Sequence, residues 1–175
     1  KFHNTKIIKL KKNIDYTQKL NFLLNLNKKK WVFMLDADYV LTDNLIKEIK
    51  KINFKYLEKN KIFGLKINIY NKIFNTVIKE NLYPKKILIF KNQKHRYKKI
   101  GHGEKLIFNS KIKYLQGSIY HENLNDIYNF NKWKKNQINY SKSEGLKICN
   151  HKFTKLRTQD QIRRFPPLNI FLLII

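Results

Sequence analysis

The stretch that most constrains this chain is Trp31-Val32-Phe33-Met34-Leu35-Asp36-Ala37-Asp38, five apolar residues running into two carboxylates that are one residue apart. An unbroken apolar run rich in aromatic and β-branched residues predicts a strand buried on both faces, of the kind found in the middle of a parallel sheet. Asp36 and Asp38 then fall at its C-terminal end. Side chains alternate along a strand, so if the extended geometry persists the two carboxylates point to one side. In open α/β sheets, ligands bind just outside the carboxyl ends of the strands. Paired hard oxygen ligands suit Mg²⁺ or Mn²⁺, which bridge protein carboxylates to substrate phosphates. One Asp at a strand end is ordinary, because it turns the chain and caps the next helix. Two of them repel each other unless something compensates them, and this makes the pair a candidate metal and diphosphate site.

The flanking pattern is that of an α/β protein. Thr5 to Lys9 reads as a short strand, and Asp15-Tyr16-Thr17-Gln18 as a capping box opening a helix with Leu20, Leu23, Leu24 and Asn27 on one face. Lys28-Lys29-Lys30 suits the dipole at its C-terminal end. Strand, helix and the Trp31 strand together give the β-α-β rhythm of a parallel sheet. Tyr39 to Asp43 is expected to open a second helix, capped by Thr42, with Leu45, Ile46, Ile49 and Ile52 as its buried stripe. Lys61 to Tyr70 alternates as a strand, Phe74 to Ile78 is its expected hairpin partner, and Lys86 to Phe90 is another short strand. Ile100-Gly101-His102-Gly103-Glu104 breaks all periodicity and predicts a loop whose backbone can approach a ligand. Lys113 to Leu115 and Ser118 to Tyr120 flank Gln116-Gly117, which leaves His121-Glu122 at a strand end. Asn125 or Asp126 then caps a long helix through Lys142 that buries Ile127, Phe130, Trp133 and Ile138.

Composition bounds the class. The 175 residues, 42% of them hydrophobic, suffice for one domain with a core. Lys and Arg number 38 against 12 Asp and Glu, a formal charge of +26 that first suggests nucleic acid or an anionic membrane. Nearly all of it is Lys, spread evenly through an Asn- and Ile-rich sequence. Only Arg96, Arg157, Arg163 and Arg164 supply the guanidinium forks that dominate base and phosphate recognition. Cys149 is the single cysteine, so no internal disulfide can form and a reducing compartment is expected. The chain does not begin with Met, and it ends inside the apolar run Phe171-Leu172-Leu173-Ile174-Ile175, so a fragment cut at both ends is expected. Ile162-Arg163-Arg164-Phe165-Pro166-Pro167 before that run resembles the start of an interfacial or membrane-entering helix; a truncated core helix explains it as well. No Walker loop, dinucleotide fingerprint, Cys/His zinc pattern or Gly-x-Ser-x-Gly elbow occurs.

The order of these features resembles that of the family 2 glycosyltransferases of the GT-A fold. The residues that carry the resemblance are Asp15-Tyr16 with Asn21-Phe22, Trp31 to Asp38, Tyr83-Pro84 with Leu88-Ile89-Phe90, His102-Gly103-Glu104, Gln116-Gly117 with His121-Glu122, and Trp133 with Asn139-Tyr140. The branch it resembles is that of the lipopolysaccharide core biosynthesis glycosyltransferases. The resemblance implies a Rossmann-like mixed sheet flanked by helices, N-terminally truncated, over residues 1–150. It implies a basic linker and the start of a membrane-associated helix over 151–175. It implies a nucleotide-diphosphate sugar as donor and a divalent cation, Mg²⁺ or Mn²⁺, as cofactor. Asp36-Ala37-Asp38 matches the family's Asp-x-Asp motif, whose first Asp contacts the donor ribose or the metal and whose second binds the metal. His121 matches a further metal ligand, and Glu104 the catalytic base of an inverting, single-displacement transfer. Glu122 is the reserve for the base and His102 for the metal.

The implied acceptor is a lipopolysaccharide-core or other lipid-linked glycan at the inner face of the cell membrane, where the cytoplasmic enzyme is expected to sit peripherally on an anionic surface, with no nucleic-acid partner. The family's first strand, with its uridine-contacting segment, is missing from the sequence, so the chain by itself is expected to be inactive. Two other classes compete. A nucleotidyltransferase needs the same carboxylates and metal but also a phosphate-gripping loop ahead of them. A basic nucleic-acid-binding domain explains the charge and leaves Asp36, Asp38 and Glu104 without a task.

Overall fold

The computed structural model describes residues 5–10, 13–73, 76–78, 84–92, 95–100, 103–122 and 130–150. In chain order the elements are α1 (Tyr16–Leu26), β1 (Trp31–Phe33), β2 (Tyr39–Leu41), α2 (Asp43–Lys50), α3 (Phe54–Lys59), β3 (Ile62–Ile73), β4 (Thr76–Ile78), β5 (Lys86–Lys91), β6 (Arg96–Ile100), β7 (Gly103–Ile107), β8 (Lys111–His121) and α4 (Phe130–Asn150). They fall into two units, Lys1–Lys98 with Leu106–Tyr128, and Lys99–Lys105 with Asn129–Ile175.

The first unit is α/β. Its mixed sheet has the order β1-β5-β3-β8-β2, with β4 added to β3, and among the described residues only the β3–β8 pair is parallel. Leu65, Ile67 and Ile69 alternate along β3, and with Leu88, Ile89, Leu115 and Ile119 they form a buried cluster with Leu45 of α2 and Leu57 of α3. The helices that cover this cluster start where the sequence says they can. The Thr42 hydroxyl accepts from Leu45 N at 3.3 Å, and the Asn53 side chain accepts from Tyr56 N at 3.0 Å. Each satisfies an amide that the first turn leaves without a partner. The box at Asp15 and Gln18 forms with both of its hydrogen bonds and starts α1.

A break in the β3–β8 register fixes α2 on the sheet. Tyr114 pairs with Lys66 but Ser118 with Asn68, so Leu115, Gln116 and Gly117 together stand opposite one residue. The amides of Gln116 and Gly117 donate to the Glu48 carboxylate of α2, at 3.0 and 2.9 Å to Oε2. Gly117 is required by packing, because a Cβ there would lie 2.4 Å from the Leu45 Cα. Thr42 completes the junction by donating from Oγ1 to the Ser118 carbonyl at 2.8 Å.

Several expectations need correction. Trp31 to Leu35 is not a central parallel strand. β1 is three residues long and, among the described residues, lies at an edge and pairs antiparallel with β5 alone, so its side chains stay half-buried and Leu35 is 44% exposed. Residues 5–10 form no strand, and Ile7 is 84% exposed, so the first β-α-β unit is not built. Tyr39 to Leu41 is extended because it pairs with β8, and the helix begins only at Asp43. α2 stops at Lys50, and Ile52 packs on the core from the connection to α3, a helix the stripe reading had merged into it. Glu104 lies in β7, which pairs with β6 as a two-stranded sheet, so this part of the expected loop is extended. Gln116-Gly117 does not divide two strands; β8 runs through it. Leu23 and Ile138 were expected inside and are exposed.

The second unit contains α4, which reaches Asn150, beyond the expected end at Lys142. The expected cap at Asn125 or Asp126, Ile127, the side chains of Phe130 and Trp133, His102 and the segment 151–175 lie outside the described residues. Among the described residues no helix is long and apolar enough to cross a membrane.

Candidate functional site

Asp36 and Asp38 do not converge by strand alternation. The chain leaves the sheet after Met34, whose amide still donates to the Leu88 carbonyl at 2.9 Å, and the Tyr39 amide donates to the Asp36 carbonyl at 3.2 Å, which closes a turn over Ala37 and Asp38. Each carboxylate therefore acquires its own partners. The Tyr16 hydroxyl donates to Asp36 Oδ1 at 2.6 Å, tying the first residue of α1 to the turn. Tyr39 Oη is hydrogen-bonded to Asp36 as well. Burial first, then the negative charges of Asp36 and Asp38, hold the Tyr39 phenol far above its ordinary pKa, so it stays protonated and donates.

Asp38 is joined to β8. Its Oδ2 lies 3.0 Å from His121 Nε2, and its carbonyl accepts from Glu122 N at 2.9 Å. The β2–β8 ladder sets this meeting, because Tyr39 and His121 are direct partners across it. The Tyr39 and His121 rings meet edge to face, 5.4 Å between centroids, so Tyr39 also fixes the plane of the imidazole. His121 is 18% and Asp38 40% exposed at the side chain, which leaves the pair reachable from solvent. The Glu122 carboxylate turns to Lys72 Nζ at 2.6 Å. Lys86, the first residue of β5, places Nζ 3.4 Å from Tyr39 Oη.

Of the residues expected at the site, the fold thus brings Asp38 and His121 together across 83 positions of sequence, with Glu122 beside them. Asp36 adjoins through Tyr39. Glu104 is half-buried in β7 within the second unit. Tyr16, Tyr39, Lys72 and Lys86 are the residues sequence reasoning missed. Tyr16 was visible only as the residue after a cap, and nothing local marks a contact twenty positions on. Tyr39 carried a usable signal, since the residue after a carboxylate pair, if extended, lies in register with whichever strand supplies the partner.

The donor set tolerates a divalent cation. Ligand atoms at neighbouring corners of an octahedral shell of about 2.1 Å radius lie about 3 Å apart. The separation of Asp38 Oδ2 and His121 Nε2 matches that edge, and the carboxylate oxygen suits Mn²⁺ or Mg²⁺. Among the described residues no three His, Cys, Asp or Glu side chains gather as a ready ligand set. A cavity of about 210 Å³ opens elsewhere, between Lys51, Tyr56 and Lys113 over a floor of Leu57, Leu65 and Leu115, and neither carboxylate of the pair lines it. No protein-family model matches the sequence, and no curated protein matches it.

Proposed function

We propose that the chain carries the metal and donor site of an inverting glycosyltransferase of the GT-A kind, moving a sugar from a nucleotide-diphosphate sugar to a lipopolysaccharide-core or other lipid-linked glycan. The observation that carries this reading is the contact of Asp38 with His121 at 3.0 Å, because these are two of the three positions, with Asp36, that the resemblance gives as metal ligands. The mixed α/β sheet is compatible with it.

When bound, a divalent cation supplies positive charge against the diphosphate leaving group. Asp38 Oδ2 and His121 Nε2 would hold it, and Tyr39 keeps the imidazole plane aimed at Asp38. Asp36 is oriented by the Tyr16 and Tyr39 phenols, which donate to it without cancelling its charge. In the transfer, the acceptor oxygen forms a bond to the anomeric carbon as the bond to the diphosphate oxygen breaks, and the electron pair leaves with the diphosphate. Glu104 is the base proposed to take the acceptor's hydroxyl proton, a role that contributes about 10²- to 10⁴-fold in general. The exposed lysines would favour an anionic membrane face as the place of work.

Calorimetry with Mn²⁺ and nucleotide-diphosphate sugars tests the site. Cation-dependent binding that disappears in Asp38→Ala is expected; salt-sensitive binding to nucleic acid, unchanged in Asp38→Ala, would favour a basic nucleic-acid-binding domain instead. Glu104→Gln should keep donor binding and lose transfer in a preparation that has it, and retained transfer would move the base elsewhere.

A further inference from the structure

We infer that Lys86 is a phosphate-binding residue of the Asp36 and Asp38 site, poised there by the Tyr39 hydroxyl. The inference rests on the reading above and adds to it a cation the chain itself supplies. Lys86 donates to Tyr39 Oη at 3.4 Å, and Tyr39 in turn is hydrogen-bonded to Asp36, which also accepts from Tyr16. The ammonium is thus brought to the mouth of an acidic pair without resting on it.

A lysine present only to neutralise the pair would sit on a carboxylate, as Lys72 sits on Glu122 at 2.6 Å. Lys86 does not. Among the described residues no carboxylate lies within ion-pair distance of it. Its acceptor is a neutral phenol, and the contact is at the long end of hydrogen-bond geometry, so exchanging it for a better acceptor costs little. The near sides of the carboxylates are already taken: Asp36 by two phenols and Asp38 by His121. The residue is exposed, at the start of a strand whose next residues are anchored in the core, so the base of the side chain is fixed while its flexible stem can swing.

An ammonium of this kind binds phosphate as a point charge with several donors. A sugar diphosphate gains one negative charge as its bond to the sugar breaks. A dication balances the charge of the intact donor, and the added charge falls to Lys86, which makes the residue more important for the departing diphosphate than for the donor. Lys72, held by Glu122, is not available for that task without giving up a short ion pair.

The test uses inorganic pyrophosphate as the probe, with Mn²⁺, on the full chain by calorimetry at several salt concentrations. Lys86→Ala is expected to weaken pyrophosphate binding about tenfold or more, as loss of a charge-assisted contact does, and to flatten its salt dependence, while the affinity for Mn²⁺ alone does not fall. Lys86→Arg should restore most of the binding, and Tyr39→Phe, which keeps the ring and removes the tether, should fall between. Lys86→Gln reads the same quantity should the alanine variant melt early. Pyrophosphate binding by Lys86→Ala equal to that of the parent chain, with Asp38→Ala abolishing it, overturns the role of Lys86 and leaves the functional reading standing. If the parent chain with Mn²⁺ binds no pyrophosphate, both fall.

Discussion

Replacing Glu48 by Ala tests how the sheet is held in the shape that carries the site. The three-residue irregularity at Leu115, Gln116 and Gly117 leaves two amides without ladder partners, and Glu48 Oε2 accepts both, at 3.0 and 2.9 Å. The two bonds are unequal in consequence. Gln116 is exposed, so its amide recovers a water when the carboxylate goes, at a net cost of about 0.5–1 kcal/mol. Gly117 is buried under α2, so its amide is left unsatisfied, which costs about 1–3 kcal/mol. The sum is about 1.5–4 kcal/mol. With a urea slope of about 2 kcal/mol/M, the unfolding midpoint should fall by about 0.8–2 M at unchanged slope. Glu48→Gln keeps an oxygen that can accept both amides and loses the charge that strengthens them, so its midpoint should fall less than that of Glu48→Ala. A midpoint for Glu48→Ala within about 0.2 M of the parent would refute the reasoning, since it would mean that the carboxylate contributes nothing net to the bulge.

Two further outcomes follow from the same packing. Gly117→Ala puts a Cβ 2.4 Å from the Leu45 Cα and 2.6 Å from its amide nitrogen, and backbone cannot swing aside as a side chain can. The variant should lose about 3 kcal/mol or more, read as a lower thermal midpoint, and α2 should separate from β8. His95 stacks on Phe108 at 4.5 Å, meets Phe90 edge to face at 6.1 Å, and buries Nε2 without a hydrogen-bond partner among the described residues. Burial holds its pKa below the ordinary 6.5, only partly offset by a bond to the Ile107 backbone. The unfolded chain therefore takes up the proton first. The contribution of His95 is fully present above about pH 6.5 and is lost as the pH falls through the range below it. Thermal midpoints of the parent should drop more between pH 7.5 and pH 5 than those of His95→Phe, and parallel curves would exclude this origin.

What the sequence made legible is local. The box at Asp15 and Gln18, the cap at Thr42 and the alternation of Leu65, Ile67 and Ile69 are each decided within a few residues, and each forms as read. The strands at Lys86 and Lys113 were found for the same reason. What failed depended on neighbours the local pattern does not contain. A run such as Trp31 to Leu35 is equally apolar at the centre or the edge of a sheet, and only the strand order β1-β5-β3-β8-β2 says which. α3 was hidden because Ile52 and Phe54 continue the apolar spacing of α2, although Asn53 between them is a good cap.

The carboxylate pair shows why this limit matters for a site. Alternation would have placed Asp36 and Asp38 on one side of a strand, with their mutual repulsion uncompensated until a cation arrived. The turn closed by Tyr39 N on the Asp36 carbonyl replaces the strand there, and each carboxylate receives a different kind of support. Asp36 gains two phenols that donate without carrying charge, and Asp38 gains an imidazole that can act as a second ligand beside it. Both kinds of support leave negative charge in place for a cation, which a lysine bound directly to either carboxylate would not. Tyr39 is common to both arms, by its hydroxyl to Asp36 and by its ring to His121. The spacing of the two Asp residues therefore matters less than the residue that follows them. Once extended in β2, Tyr39 pairs with His121 on β8, and that pairing brings a residue 83 positions away into contact with Asp38.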